Sequence, residues 1–146
     1  MISVCDLTIG AAEARFGLTE VRLGLIPANI SHYVVRRIGE ANARATMLSG
    51  ALFGAERTRE IGLLGRVMPA GELEAAVARV VEDHLEAAPG AVAETKRLIA
   101  FVAAHGDADN MIYTADRLAD AWETEEGQTG VRAFLDKRLP PWRRGA

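Results

Sequence analysis

The chain has 146 residues, 49% hydrophobic and only 5% aromatic, with 17 basic against 20 acidic side chains and a formal net charge of −3. That length suits one domain with a core that needs no staples, and the charge balance has the wrong sign for a protein whose main partner is a polyphosphate backbone. The single cysteine, Cys5, excludes an intramolecular disulfide and a cysteine-based zinc site, and no apolar run approaches the ~20 residues of a membrane span.

These bounds, with no basic-then-apolar leader at the N-terminus, point to a soluble protein of a reducing compartment such as the cytoplasm, with neither nucleic acid nor membrane as partner. The first thirty residues are short, β-branched or aliphatic stretches punctuated by Gly10, Gly17 and Gly24. They read as two extended segments, "ISVCDLTIG" and "RFGLTEVRLGL". In the first, Ile2, Val4, Leu7 and Ile9 leave little polar alternation, as in a strand covered on both faces, where Cys5 would be buried and inert. Two strands alone are marginal in water, so a pairing partner is expected from elsewhere.

From Ser31 the period becomes helical. "SHYVVRRIG" starts on a plausible N-cap and stops at Gly39, and "EANARATMLSG" follows with Ala43, Met47 and Leu48 apolar, which predicts two short helices meeting at a glycine. Another short helix begins near Ala55 and ends at Gly62, followed by extended "LLGRVMP". Leu73, Ala76, Val77, Val80, Val81 and Leu85 lie on one stripe, with Glu72 and Glu74 in the first turn where the helix dipole favours them. Pro89 ends that helix, and another carries Val92, Leu98, Ile99 and Val102 as far as Gly106. "DADNMIYTADRLADAWETEEG" reads as one helix with Ile112, Ala115, Leu118, Ala119 and Trp122, and "TGVRAFLDKR" as a last short one before Leu139, Pro140 and Pro141. Such stripes need partners, so Trp122 is expected in a core or a subunit contact.

Taken in order, "CDLTIGAAEARFGLTEVRLGLIP", "GALFGAERTREIGLLGRVMP", "PGAVAETKRLI" and "AFLDKRLPPW" resemble the C-terminal half of the enoyl-CoA hydratase/isomerase, or crotonase, family. The resemblance covers nearly the whole chain. "GLTEVRLGLIPANISHYVVRRIGE" looks most like the branch that hydrates methylglutaconyl-type esters. It implies an α/β fold: residues 1–68 as the C-terminal part of a core of stacked ββα turns, and residues 69–146 as a helical segment that drives homotrimers or homohexamers. It also implies that the first oxyanion-hole amide, the glycine-rich stretch before "CDL" and a further glutamate belong to polypeptide ahead of this sequence. The chain is then expected to be a fragment, inactive by itself.

Hydration of an α,β-unsaturated acyl-CoA thioester places negative charge on the thioester oxygen, which backbone N–H groups stabilise, while carboxyl groups activate water and deliver a proton to the α-carbon. Glu20 stands where the family's "FG-x-x-E" glutamate resembles the proton donor; read from the residues alone, the plainer reading is a solvated glutamate on a strand edge. One glutamate at this position also fits the family's double-bond isomerases, and retained helices without an oxyanion hole fit a non-catalytic oligomerising module. After Pro27, at the substrate wall, Ala28, Asn29, Ile30 and Ser31 replace the glycine-rich stretch common in the family, which bears on acyl preference. Phe134 and Lys137 match positions where a ring and an ammonium approach the adenine and phosphates of CoA across a subunit boundary. Their bland alternative is a Phe134 packed inward and a solvated Lys137.

No resident cofactor is implied, coenzyme A being part of the substrate. His32, His84 and His105 lack metal-ligand spacing, and "GAERTREIGLLG" lacks the G-x-G-x-x-G of a dinucleotide site.

Overall fold

The computed structural model describes residues 1–143. The chain forms two compact units, Met1–Ala78 and Arg79–Ala146; the expected division lay at 68/69. Helix α3, Leu73–Leu85, contains the junction, so the division needs no linker.

In the first unit, strands β1 (Ile9–Ala11) and β4 (Arg66–Met68) pair in parallel with Gly10 opposite Val67, and β2 (Arg15–Phe16) pairs antiparallel with β3 (Phe53–Gly54). Thr8, 6% exposed, ties the first pair together: its hydroxyl donates to the Leu63 carbonyl at 3.0 Å and accepts from the Gly65 amide at 3.0 Å. Gly10 beside it lets Leu64 pack close, since a Cβ there would stand 2.5 Å from Leu64 Cδ1 and that side chain would have to shift.

Of the two extended segments expected over the first thirty residues, only short stretches form strands, Ile9–Ala11 and Arg15–Phe16. Ile2–Val4 is a 3-10 turn, β1 starts only at Ile9, and a second 3-10 turn occupies Glu20–Leu23. A strand extends only as far as a partner offers hydrogen bonds, and the available edges are three and two residues long. Val4 and Leu7 are consequently 60% and 50% exposed. Cys5 is also exposed rather than buried, because it follows the first turn in a stretch that no strand covers.

Helix α1, Ala28–Met47, starts ahead of Ser31, with Pro27 as its N-cap residue, and breaks at Gly39 (φ 74°, ψ 162°) as the sequence predicts. Helix α2, Ala55–Glu60, stops before Gly62 (φ 80°). Leu18, Val34, Ile38, Ala43, Ile61 and Leu63 form the core, with Ile2, Met47 and Phe53 packed against it. Arg37 joins two loops at its rim, donating from Nε to the Gly62 carbonyl (2.9 Å) and from Nη1 to the Cys5 carbonyl (3.2 Å).

In the second unit, α4 (Pro89–Val102), α5 (Asp107–Glu123) and α6 (Glu125–Leu135) pack on one another. Pro89 opens α4, where a missing N–H costs nothing. The predicted run through "ETEEG" is cut at Thr124 (φ −71°, ψ 147°), whose hydroxyl accepts from the Gly127 amide at 2.9 Å and caps α6. The Glu126 carboxylate then accepts from the Gly90 and Ala91 amides at 3.1 and 2.8 Å, capping α4 from another element.

The predicted helical stripes exist but stay largely uncovered: Val77, Val81, Ile99, Met111, Ile112 and Leu118 are exposed, and Trp122, at 53%, is not a core residue of this chain. No helix among the described residues is long and apolar enough to cross a membrane.

Candidate active site

Glu20 opens its 3-10 turn two residues after buried Leu18, with Thr19 as the N-cap residue, and the turn ends at Gly24 in the left-handed region (φ 73°). Glycine suits that position because an L side chain there crowds the following carbonyl. The Glu20 carbonyl accepts the Leu25 amide at 3.0 Å, which locks the turn's backbone. A neighbouring loop grips the same segment: Arg22 Nε donates to the Ser49 carbonyl at 3.2 Å. A Cβ on buried Gly50 would lie 3.1 Å from Val21 Cγ2, and one on Gly17 would lie 2.7 Å from Leu52 Cδ2.

On this turn the Glu20 carboxyl is partly sequestered. The residue as a whole is half-buried, yet Oε2 is shut off from solvent and has no hydrogen-bond partner among the described residues. Carboxylate oxygens buried without donors are rare because desolvation is uncompensated. Glu20 is therefore neither on a strand nor a freely solvated edge charge. Apolar side chains flank it along the chain: Leu23, Leu25 and Ile26 are 75%, 61% and 76% exposed. Such a carboxyl can exchange a proton with a carbon centre held against the apolar flank, where water competes poorly.

Pro27 is half-buried, and its carbonyl accepts the Ser31 amide at 3.0 Å in the first turn of α1. Ala28, Asn29, Ile30 and Ser31 thus form helix rather than open loop, with the Ser31 hydroxyl turned back onto the Ala28 carbonyl at 3.1 Å. Glu20 and Pro27 belong to the first unit; Phe134 and Lys137 belong to the second. Phe134 lies on α6 and is 80% exposed, so the inward-packed alternative for it does not hold. Lys137 is exposed just beyond α6 and, at φ 55°, is the chain's described non-glycine residue in the left-handed region. His84 and His105 place Nδ1 2.7 and 2.8 Å from carbonyls one helical turn earlier. Sequence reasoning did not find Arg22, since one arginine in a polar turn carries no signal until its acceptor is known.

The enoyl-CoA hydratase/isomerase family model matches residues 1–145. The chain belongs to this family. A candidate enoyl-CoA hydratase of Thermus thermophilus is 36% identical over 138 residues, covering 93% of this chain and 54% of that protein. The 2,3-dehydroadipyl-CoA hydratase of Escherichia coli is 30% identical over 148 residues, covering 96% and 55%. In structure, an enoyl-CoA hydratase/isomerase from Marinobacter aquaeolei superposes with a TM-score of 0.91 at 36% identity, covering 97% of this chain and 54% of that one. The crotonase fold is therefore shared, and the chain spans about half the length of the relatives it matches.

Proposed function

We propose that this chain supplies the proton-donating glutamate of an enoyl-CoA hydratase, acting on an α,β-unsaturated acyl-CoA thioester of methylglutaconyl type. In the reaction the oxygen of water bonds to the β-carbon, a carboxylate takes the water's proton, and the Glu20 carboxyl gives its proton to the α-carbon. The carrying observation is the Glu20 Oε2 atom, sequestered and unpaired on a clamped turn beside exposed apolar side chains. The chain's span of about half the relatives' length supports reading it as one part of such an enzyme, with the oxyanion amides furnished by the other part. "GLIPANIS" supports the substrate branch, its α1 start giving the wall side chains in place of glycines. Exposed Phe134 and Lys137 are available to the adenine and phosphates of CoA in an assembly of copies.

The test is a chimera in which this chain replaces the matched segment of the Thermus thermophilus relative. The chimera is expected to hydrate crotonyl-CoA and methylglutaconyl-CoA, favouring the latter, and Glu20→Gln to lower kcat by roughly 10²–10⁴-fold, the usual share of general acid–base catalysis. The 146-residue chain alone is expected to show no turnover. Near-parental kcat in the Glu20→Gln chimera would refute the role given to this carboxyl.

A further inference from the structure

We propose that residues 139–143 are a reversible strap that covers one side of an apolar cavity in the helical unit, with the Trp142 ring as plug and Gly130 as seat. The cavity, about 560 Å³, lies between the start of α4 and the α5–α6 junction, with Ala88, Ala91, Gly127, Gly130, Val131 and Trp142 among its lining. That volume falls in the range of ligand-sized cavities rather than packing faults.

The plug fits because its seat has no side chain: a Cβ on Gly130 would stand 2.9 Å from Trp142 Cη2 and 3.2 Å from Cζ2. What brings the ring back is the reversal after α6. The Lys137 amide donates to the Phe134 carbonyl at 3.1 Å and the Arg138 amide to the Ala133 carbonyl at 2.8 Å, a Schellman closure. Lysine, not glycine, occupies its left-handed position. Pro140 and Pro141 stiffen the return path, and the Arg143 amide closes a turn onto the Pro140 carbonyl at 3.1 Å.

The closed state is held by weak means. Trp142 is only half-buried, and the Arg143–Glu86 ion pair is 44% and 39% exposed, where water and salt screen it. A left-handed lysine opposes the closed path. The helices keep their own backbone bonds and caps whether or not the strap is seated, so it can lift as a local opening.

A Trp122→Phe background leaves Trp142 as the one tryptophan for spectroscopy. In that background its emission is expected to be blue-shifted and protected from acrylamide relative to free indole. Adding Gly130→Ala, whose methyl displaces the ring, is expected to red-shift the emission, raise quenching severalfold and increase uptake of an anilinonaphthalene sulfonate dye, with far-UV circular dichroism retained. If Gly130→Ala loses helix, Trp142→Ala decides by dye uptake alone: a rise supports the strap, and no rise overturns it. Emission and quenching already those of free indole in the parent, or unchanged by Gly130→Ala, would also overturn it.

Discussion

Glu20 holds a carboxylate oxygen where folding alone gives no reason to put one. Leu18 anchors the segment, Arg22 and Gly50 hold the turn, and Oε2 is left shut from water without a donor. A residue kept for stability behaves differently from one kept for chemistry when its charge is removed. Glu20→Gln is therefore expected to leave urea-unfolding stability unchanged or to raise it by up to about 1 kcal/mol, since no donor loses its acceptor. A drop of about 2 kcal/mol or more would mean that the carboxylate has a structural partner. Only the resemblance to the family's "FG-x-x-E" motif singled out Glu20 as a candidate in the sequence. The loop that grips it was not, because Ser49 and Gly50 reach the turn only through the fold.

Among the elements, helix junctions were the best-read features, and each rests on backbone geometry. Gly39 adopts a conformation essentially restricted to glycine, yet a Cβ there would meet nothing within 4 Å. Gly39→Ala thus isolates backbone strain from crowding and is expected to cost about 1–3 kcal/mol in denaturant unfolding. The Thr124 cap was missed because the apolar stripe of α5 runs on towards "ETEEG" without a glycine or proline to stop it. Its hydroxyl replaces the amide's missing partner, so Thr124→Ala is expected to cost about 1 kcal/mol in thermal unfolding. The N-terminal strands were overread for the opposite reason: propensity marked β-forming residues, while strand length was decided by partner edges that lie beyond residue 52.

For the whole molecule, α4 and α5 leave the apolar side chains of Ile99, Met111, Ile112, Leu118 and Trp122 exposed, and apolar helix faces left uncovered call for a partner. We propose that copies of the chain cover these faces for one another, in trimers or pairs of trimers. Size exclusion with light scattering on the 146-residue chain is expected to show self-association that persists in high salt, since burial of apolar surface is not screened. A monodisperse monomer would count against it.

Residue periodicity by itself determined most of the helices and the breaks at Gly39 and Gly62, because these depend on local backbone preference, while the family was reached through the resemblance of a few motifs in order. Only the tertiary structure decided how short the strands are, that Phe134 faces outward, that Cys5 is exposed and that Trp142 lies on Gly130. Each of those depends on which distant segment arrives to pair or pack. Local sequence states a preference for contact without naming the partner.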